Sequence, residues 1–387
     1  MGLDRKLRYG MVGGGPGAFI GNVHRMAAAL DGTMELVAGA FSSDPAKSKA
    51  QAKELGLTTD RSYASFLEMV EREATRDDRI DFVSIVTPNH VHFPVAKAFL
   101  EAGFHVVCDK PMTNTLEDAE ALCHLVRKHN RIFALTHNYT GYPMVKQARA
   151  MIREGKIGAV RKIVVEYPQG WLATPLELTG HKQADWRTDP SRAGAGSLGD
   201  IGSHAENLAR YMTGLEIEEL CADVTTFVEG RMIDDDVNML VHYQGGARGV
   251  LHASQVSIGE ENNLNIRVHG ETGSLQWFQE HPNWLYYRDL DGPEQVFKRG
   301  NDYLSEAAQH SSRLPSGHPE AFLEAFANIY LNAGRTIAAH KTGEDAAPQD
   351  LDFPSVQDGA RGVHFILTAL ESGRRRGWVD ASYIPPA

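Results

Sequence analysis

Short apolar runs alternate with amphipathic stretches over the first 138 residues, and this alternation constrains the fold more than any other feature. Five runs have the near-continuous apolar character of buried strands, and they cover residues 8–13, 34–41, 81–88, 105–111 and 132–138. Helical patterns separate these runs, so the chain can return to the same edge of a sheet before each new strand. The alternation predicts a doubly wound parallel sheet in an α/β domain of residues 1–138.

Residues 139–387 follow a different pattern. After a helical stretch at 142–154 come longer strands of alternating polar and apolar residues, and the turn signal at 243–247 predicts a hairpin. Helical patterns at 318–340 and 355–373 come last. This half predicts a second domain with a large, mainly antiparallel, open-faced sheet and helices on one face.

The uncovered face of such a sheet predicts self-association. An apolar sheet face needs a cover, and we take Val250, Leu251, Ile266 and Val268 as indications of that face. We therefore expect a homodimer or homotetramer assembled through the C-terminal sheet.

Composition and cysteine usage exclude several classes of protein. The formal net charge of −11 argues against a nucleic-acid partner, which needs a basic face. No stretch of about 18 apolar residues and no signal-peptide pattern occurs, so we expect a cytoplasmic protein without a membrane partner. Cys108, Cys123 and Cys221 form no CxxC pair. The acidic run 234–236 lacks ligand spacing and is expected to be a solvated turn, so we expect no metal.

A glycine-rich loop follows the first predicted strand and opens a helix, which is the context of a dinucleotide-binding fingerprint. Gly13 and Gly15 would make the tight turn and let a pyrophosphate approach the helix N-terminus. Ala18 stands where the third glycine of the simple spacing belongs, and Gly21 can take that role in a longer loop. The further candidate cofactor contacts in this loop are Ala18, Phe19 and Ile20.

The end of the second predicted strand bears on the choice between NAD and NADP. Ser42 stands where NAD enzymes usually place the acidic residue that binds the adenosine ribose. Asp44 is predicted to cap the next helix, which has Pro45 at its first position. Ser42 and Lys47 could receive a 2′-phosphate, although no arginine is present to bind it. With Ser43 between them as a further cofactor candidate, the sequence leaves NAD and NADP open.

Two polar segments end neighbouring strands of the predicted parallel sheet, at the edge where ligands bind in such folds. "TPNHVH" at 87–92 supplies the candidate cofactor contacts Thr87, Asn89 and His92. "CDKP" at 108–111 supplies Asp109 and Lys110. A lysine beside a nicotinamide could hydrogen-bond a substrate hydroxyl and stabilise the alkoxide that develops there.

The stretch "GSLGDIGSH", 196–204, sets Asp200 and His204 four residues apart, on one face of a helix. Gly199 and Gly202 flank the pair, although each glycine costs a helix about 1 kcal/mol relative to alanine. We interpret these glycines as room for a bulky ligand near the backbone. From this stretch alone, the pair could be a surface ion pair or part of a functional site.

These motifs together resemble the Gfo/Idh/MocA family of nicotinamide-dependent sugar and cyclitol dehydrogenases, over essentially the whole chain. The Glu-Lys-Pro motif of that family reads Asp109-Lys110-Pro111 here, and its Asp-x-Gly-x-His motif matches residues 200–204 without change. The resemblance implies that His204 is the general base, a role that suits imidazole near neutral pH. It also implies that Lys110 polarises the reacting oxygen and that Asp200 binds a neighbouring hydroxyl. A sugar or a cyclitol such as inositol is the implied substrate.

Four further residues are candidates for substrate contact. They are Asn138, Tyr139, Trp186 and His318. Their aromatic faces and polar groups suit a polyhydroxylated ring. Trp171, His181 and Arg187 lie nearby in the sequence and are expected to serve packing.

Two other functions fit the same motifs. One is a glycosidase that uses tightly held NAD for transient oxidation and elimination, and the other is a non-catalytic sugar or cofactor sensor. A sensor needs no base, so the joint presence of Lys110, Asp200 and His204 argues against it. A glycosidase would not release NADH in proportion to product.

Overall fold

The computed structural model describes residues 3–387 and divides into two compact units. The first unit runs through His137 and also contains Phe326–Ala360 and Pro385–Ala387, and the second contains Asn138–Ala325 and Arg361–Ile384. The sequence places residues 326–360 in the second domain, whereas in the structure they pack with the first unit. How function divides between residues 1–138 and 139–387 stays a prediction.

Within the described residues, the first unit holds a five-stranded parallel sheet. Its strands are β1 (Leu7–Gly13), β2 (Met34–Ala40), β3 (Phe82–Val86), β4 (His105–Cys108) and β5 (Phe133–Leu135). Its helices from the N-terminal part are α1 (Phe19–Leu30), α2 (Pro45–Glu54), α3 (Phe66–Ala74), α4 (His92–Glu101) and α5 (Leu116–His129). Each predicted strand is present. β1 begins one residue earlier than predicted, and the other four strands are shortened at one or both ends by up to three residues.

The strand order β2-β1-β3-β4-β5 reverses direction at β1, because β2 lies on one side of it and β3 on the other. In open parallel sheets of this kind, ligands bind outside the carboxyl ends of the strands at such a switch point. The loops that leave β1 and β3 therefore frame the position expected for a ligand. These are the glycine loop after Gly13 and the segment that starts at Thr87.

In the part of the chain that the structure describes, the second unit holds a nine-stranded sheet in the order β13-β12-β11-β10-β6-β9-β8-β7-β14. Its strands are β6 (Val160–Pro168), β7 (Ile217–Thr225), β8 (Asp236–Tyr243), β9 (Arg248–Ser254), β10 (Asn265–Gly270), β11 (Gly273–Phe278), β12 (Trp284–Asp289), β13 (Gln295–Lys298) and β14 (Val379–Asp380). The β6–β9 pair is parallel and the remaining pairs are antiparallel. Strands β8 and β9 form the predicted hairpin, and the fold class is confirmed.

Helices complete both units. The second unit contains α6 (Pro143–Arg153), α7 (Lys182–Arg187), α8 (Pro190–Ala193), α9 (Ser203–Thr213) and α10 (Glu306–His310). The two predicted C-terminal helices are α11 (Phe322–Thr342) and α12 (Val356–Arg375). Among residues 3–387, no helix is long and apolar enough to cross a membrane.

Alternate residues of the large sheet face a hydrophobic core that α6 and α9 help to form. Three of the four residues used to predict an uncovered apolar face do not lie on that face, so the prediction was wrong for them. Leu251, Ile266 and Val268 are buried in this core, because the side-chain alternation of their strands directs them inward. Val250 lies at the alternate position and is partly exposed, and Leu240 on β8 is exposed.

Candidate functional site

The glycine loop after β1 is shaped by close backbone contacts. Gly13 has a φ of +85°, and a Cβ there would lie 2.7 Å from the carbonyl oxygen of Val86. A Cβ on Gly15 would lie 2.5 Å from the carbonyl oxygen of Phe41. No larger residue fits at either position without moving the backbone, so the two glycines fix the path of the loop.

The third glycine of the fingerprint lies inside α1. A Cβ on Gly21 would lie 2.4 Å from the Cα atom of Gly14, so Gly21 lets the helix pack directly against the loop. This is the close helix–strand contact that the third glycine provides in dinucleotide-binding folds. The longer spacing allowed by the sequence is thus the one that the structure uses.

The N-terminus of α1 suits an anion. The helix begins at Phe19, its N-cap residue Ala18 gives no side-chain hydrogen bond, and no acidic residue lies in its first turn. Backbone N–H groups and the helix dipole at such an end favour a phosphate group. Phe19 is exposed and Ile20 partly exposed beside it. The residues present therefore fit the pyrophosphate of a dinucleotide.

In the loop after β2, Asp44 forms the N-cap of the next helix. Its carboxylate accepts hydrogen bonds from the backbone N–H groups of Ala46 (2.9 Å) and Lys47 (3.2 Å), so it caps α2 as predicted. The hydroxyl of Ser42 accepts the N–H of Asp44 at 3.2 Å. Ser43 and Lys47 are exposed at this edge. Asp44, the carboxylate nearest in sequence to Ser42, thus binds the N-terminus of α2. This arrangement is compatible with either NAD or NADP.

His92 connects the loops that follow β3 and β4. It is fully buried, with Nδ1 2.9 Å from the carbonyl oxygen of Pro111 and Nε2 2.9 Å from that of Thr87. Burial lowers the pKa of His92, against the charge of Asp109. Both ring nitrogens face protein carbonyl groups, so the ring holds the two loops together. Its predicted contact with a cofactor stays a prediction, as does that of the buried Asn89.

Thr87 adds an observation that bears on the cofactor. Its hydroxyl oxygen is buried and has no hydrogen-bond partner in the structure. Its methyl group would lie 2.9 Å from a Cβ on Gly13, so the side chain borders the glycine loop. An unpaired buried hydroxyl costs free energy unless a further group binds it. A ligand that lies along this loop would supply that group.

Asp109 and Lys110 follow β4. The Oδ1 atom of Asp109 accepts the backbone N–H of Lys110 at 3.0 Å and the hydroxyl of Thr136 at 2.9 Å. Lys110 is partly exposed, and the Lys110–Pro111 peptide bond is cis. The carboxylate thereby fixes the backbone from which the lysine side chain extends.

In the second unit, Asp200 and His204 lie on consecutive helical turns. Residues Leu198–Gly202 form a π-helical turn that continues into α9, and His204 lies in the first turn of α9. Asp200 is partly exposed and His204 is buried. π-Helical turns are rare and often occur at functional sites. The sequence predicted a helix at this position but not its wider turn.

The solvated turn predicted for 234–236 is wrong. Asp234, Asp235 and Asp236 are all buried. The carboxylate of Asp234 accepts hydrogen bonds from the N–H groups of Gly196 and Leu198, both at 2.7 Å, and it also accepts the Ser197 hydroxyl. These bonds hold the start of the π-helical turn. Burial raises the pKa of Asp234 although these donors oppose the rise.

The interpretation of the flanking glycines also changes. Gly199 and Gly202 are both buried. A Cβ on Gly202 would lie 3.2 Å from Leu198 and 3.5 Å from Ala253 of β9, so this glycine lets the turn pack on the sheet and does not open space for a ligand. Gly196, which had no predicted role, is the most constrained of the three, since a Cβ there would lie 1.8 Å from the carbonyl oxygen of Asp234.

Two residues that the sequence did not assign to the site contact Asp200. The amide of Gln255 donates to Oδ2 of Asp200 at 2.9 Å, and the Nε atom of Arg187 lies 3.4 Å from the same oxygen. Trp186 lies against the Arg187 guanidinium, 4.2 Å from ring centre to Cζ. Arg187 was expected to serve packing and instead forms an ion pair with Asp200. The dipeptide Trp186-Arg187 therefore belongs to the surroundings of this carboxylate.

Aromatic residues surround His204. The ring of Tyr139 lies edge-on to the imidazole at 4.8 Å between centres, and that of Tyr167 lies at 6.3 Å. The two tyrosine hydroxyls share a short hydrogen bond, and Asn262 accepts the Tyr167 hydroxyl at 2.7 Å. Tyr139, predicted to contact substrate, thus uses its hydroxyl within this network. The signal for Tyr167 and Asn262 was absent from the local sequence, because they lie on β6 and in the segment before β10.

The remaining candidates for substrate contact lie in different surroundings. Asn138 is buried, and its Nδ2 atom has no hydrogen-bond partner. His318 is exposed and lines a surface pocket together with His281, Trp284 and Lys298. Within residues 3–387, no group of three or more His, Cys, Asp or Glu side chains is arranged to hold a metal ion.

Comparisons with known proteins match both units. Residues 7–137 match the family model described as "Oxidoreductase family, NAD-binding Rossmann fold". Residues 145–276 match the model described as "GFO/IDH/MocA C-terminal domain". The first match covers the glycine loop and Lys110, and the second covers Asp200 and His204.

Solved structures and a curated enzyme resemble the whole chain. An inositol dehydrogenase homolog from Azotobacter vinelandii in complex with NAD+ is 37% identical, with a TM-score of 0.95 over 98% of each chain. The same homolog has been solved with NADH and myo-inositol. An oxidoreductase from Sinorhizobium meliloti is 47% identical, with a TM-score of 0.89 over 97% of this chain and 99% of that one. The levoglucosan dehydrogenase of Pseudarthrobacter phenanthrenivorans is 27% identical over 98% of this chain and 99% of its own length.

Proposed function

This chain belongs to the Gfo/Idh/MocA family of oxidoreductases with an NAD-binding Rossmann domain, and on that premise we propose that it oxidises a secondary hydroxyl of a cyclitol or a pyranose. His204 is the general base, and Lys110 donates to the developing alkoxide. The observation that carries the proposal is the Asp200–His204 pair. Asp200 lies on an uncommon helical turn that a buried aspartate holds, and His204 lies in the first turn of the helix that follows. Inositol is the first candidate because the A. vinelandii homolog has been solved with myo-inositol.

Each side chain has a distinct task in this reaction. When bound, the nicotinamide ring supplies the acceptor for the hydride that leaves the carbinol carbon. The neutral imidazole of His204 removes the hydroxyl proton as the carbonyl forms. The Lys110 ammonium stabilises the negative charge on that oxygen. Asp200, oriented by Gln255 and Arg187, accepts a hydrogen bond from a neighbouring hydroxyl.

The cofactor itself is a nicotinamide dinucleotide, NAD or NADP, bound by the first unit. The proposed contacts are those of the glycine loop and of the loops after β2, β3 and β4. They comprise Gly13, Gly15, Ala18, Phe19, Ile20, Ser42, Ser43, Lys47, Thr87, Asn89, His92, Asp109 and Lys110. Steady-state kinetics with each cofactor decides the preference that the sequence leaves open.

A substrate screen tests the proposed activity. The purified protein is incubated with myo-inositol, scyllo-inositol, hexoses, levoglucosan and aryl glycosides, with either cofactor, and absorbance of the reduced nicotinamide is followed. The proposal expects reduced cofactor to accumulate in a one-to-one ratio with ketone product for a cyclitol or sugar. Glycoside cleavage without net reduced cofactor would support the glycosidase alternative instead. Binding without turnover of any compound would support a sensor.

We further propose that the chain assembles as a homodimer or homotetramer through the open face of the large sheet. The exposed Leu240 and the partly exposed Val250 lie on neighbouring strands and are apolar residues that such an interface would cover. Light scattering at micromolar concentration should give a multiple of the 42.6 kDa chain mass. Leu240→Arg should lower that mass, and a monomeric wild type would contradict the proposal. A cytoplasmic location likewise stays a prediction.

A further inference from the structure

A buried histidine in the first unit has no role in the proposed reaction. His24 lies on α1 and is fully buried. Its Nδ1 atom is 2.7 Å from the hydroxyl of Tyr330, which is in turn 2.7 Å from the hydroxyl of Ser84. Within residues 3–387, its Nε2 atom has no hydrogen-bond partner, and it lies 3.8 Å from Oδ1 of Asp109. The imidazole therefore lies between a pair of buried hydroxyls and the carboxylate that precedes Lys110.

The hydrogen bonds and the neighbouring carboxylate together favour one tautomer of His24. Burial raises the pKa of Tyr330 well above its ordinary value, so this hydroxyl keeps its proton and can donate it to His24 or to Ser84. Donation to Ser84 would leave the bare lone pair of Nε2 facing the Asp109 carboxylate, so donation to His24 is favoured. If Ser84 donates to Tyr330 and Tyr330 donates to Nδ1 of His24, each of these three groups has a hydrogen-bond partner. The neutral imidazole then carries its proton on Nε2, the atom that faces Asp109.

Asp109 needs such a neighbour to remain charged. Burial by itself would raise the pKa of Asp109, yet His24, Lys110 and His92 together hold this pKa well below its ordinary range. These three groups come from α1, the loop after β4 and α4, and the neutral Thr136 hydroxyl donates from the end of β5. The charged carboxylate is what accepts the backbone N–H of Lys110. Loss of its charge would weaken that bond.

We propose that His24 is a positioning residue whose Nε2–H holds the Asp109 carboxylate, so that Asp109 fixes the backbone of Lys110 and directs its ammonium toward the reacting oxygen. This inference rests on the proposed function of Lys110. Packing alone does not require a histidine here. The ring lies edge-on to Phe326 at 4.7 Å and to Tyr330 at 5.7 Å, contacts that a phenylalanine would also make. Phenylalanine would lack the ring nitrogen that faces the Asp109 carboxylate.

Two amide variants separate the nitrogens of His24. The amide nitrogen of glutamine reaches the position of Nε2, whereas that of asparagine reaches only the position of Nδ1. His24→Gln keeps a donor toward Asp109 and should retain turnover within about threefold of wild type, while His24→Asn should lose about 10- to 100-fold, as for other residues that orient catalytic groups. KM and the NADH dissociation constant should change little in either. A role in packing against Tyr330 predicts the opposite ranking, with His24→Asn equal or better, and that ranking would overturn the proposal.

His105→Asn is the matched control. His105 is also a buried histidine of this sheet, but it lies at the start of β4, and its Nδ1 accepts the N–H of Ile132. We expect this variant to lose stability and to keep the wild-type turnover of the folded fraction. Equal losses of turnover in His24→Asn and His105→Asn would show that any buried histidine of the unit has this effect, and would contradict a specific role for His24.

A readout without substrate or cofactor keeps this inference separate from the proposed function. The carboxyl ¹³C signal of Asp109, assigned with Asp109→Asn, is titrated in the wild type and in both His24 variants. The pKa of Asp109 should stay low in the wild type and in His24→Gln, and should rise in His24→Asn. An unchanged titration in His24→Asn contradicts the proposal even if turnover falls. If His24→Asn does not fold, Tyr330→Phe, which removes the donor to Nδ1, should raise the same pKa, and no rise would contradict the proposal.

The double variant Lys110→Ala, His24→Asn completes the test. If His24 acts through Lys110, the double variant should turn over no more slowly than Lys110→Ala alone. Multiplicative losses would mean that His24 acts by another route. If Lys110→Ala keeps wild-type turnover, the proposed role of Lys110 fails, while the Asp109 titration still decides whether His24 holds that carboxylate.

Discussion

The cofactor end of the first unit and the histidine site of the second are built in different ways. In the first unit, the glycine loop takes its shape from β1 and the strand ends beside it, and the candidate residues lie in the loops and helix starts that follow the strands. In the second unit, Asp200 and His204 depend on side chains far along the chain. Asp234 holds their turn, and Gln255 orients Asp200. The first site is thus a property of sheet topology, whereas the second is a property of tertiary contacts.

This difference predicts different responses to substitution. A change in the first unit should act on the group that it removes, because the strand ends are fixed by the parallel sheet. A change in the supporting residues of the second unit should also alter the turn that carries Asp200 and leads into His204. The substitutions below test this contrast, from the largest expected effect to the smallest.

Among substitutions in the first unit, removal of the lysine should give the largest effect on turnover. Lys110→Ala deletes the donor to the developing alkoxide, which costs on the order of 3 kcal/mol, or about 10²-fold in turnover. The free energy of unfolding should stay near that of the wild type, because the side chain is partly exposed. NADH affinity should fall much less than turnover, because Lys110 is one of many proposed cofactor contacts. Steady-state kinetics and fluorescence titration measure the two effects. Lys97→Ala, at an exposed lysine on α4, is the control and should behave as wild type.

Asp234→Ala should lower both the stability of the second unit and the turnover of the folded protein. No single substitution at the cofactor end is expected to do both. The Asp234→Ala substitution leaves the N–H groups of Gly196 and Leu198 unsatisfied, at about 1–3 kcal/mol each. We expect a loss of unfolding free energy of roughly 2–5 kcal/mol and a lower turnover of the folded fraction.

Another aspartate of the same acidic run supplies the control for that change. Asp236 is buried as well, but its carboxylate accepts from Asn238 and not from the π-helical turn. Asp236→Ala should keep turnover. Chemical denaturation and kinetics are measured on the same preparations of both variants. Equal turnover of the two folded variants would show that the support of the π-helical turn by Asp234 does not matter for turnover.

The same contrast explains what could be predicted from the sequence. Strand–helix alternation predicted the parallel sheet, and the glycine loop predicted dinucleotide binding, because each signal lies within about 20 residues and reflects backbone constraints. Asp200 and His204 were found through a motif. The burial of Asp234 was not found, because three adjacent acidic residues before a strand look like a solvated turn until Gly196 and Leu198 are brought to them.

The direction in which side chains point was a second feature that the sequence did not predict. Leu251, Ile266 and Val268 are as apolar as residues of an open face, and only the register of β6, β9 and β10 shows that they face the helices. Arg187 has the sequence context of a short helix, and its ion pair with Asp200 depends on how that helix packs. Pairings of this kind are set by tertiary structure and leave no periodic signal.

Asp200→Asn should have a smaller effect that appears mainly in KM. The substitution keeps the shape of the side chain but removes the charge that faces Arg187 and that would accept a ring hydroxyl. We expect KM for the cyclitol to rise about tenfold and kcat to fall less, as for the loss of one charge-assisted hydrogen bond. Asp185→Asn, at an exposed aspartate paired with Arg192, is the control. A fall in kcat alone would mean that Asp200 acts on the chemical step.

The smallest effect is expected at Ser42, the residue proposed to lie at the adenosine ribose. Ser42→Asp places a carboxylate where it would repel a 2′-phosphate. We expect KM for NADP to rise about fivefold, or ~1 kcal/mol at a surface position, with KM for NAD unchanged or lower. Ser65→Asp, at the N-cap of α3, adds the same charge elsewhere in the unit and should change neither value. Unchanged NADP kinetics in Ser42→Asp would show that this residue does not lie at the ribose.

The central claim is that the second unit supplies the base while the first unit binds the cofactor. It is tested most directly by paired measurements on His204→Ala, which compare turnover on the substrate from the screen with the NADH dissociation constant of the same preparation. The account predicts a loss of turnover of roughly 10²- to 10⁴-fold with an NADH dissociation constant close to that of the wild type. Turnover near that of the wild type would contradict the assignment of His204 as the base.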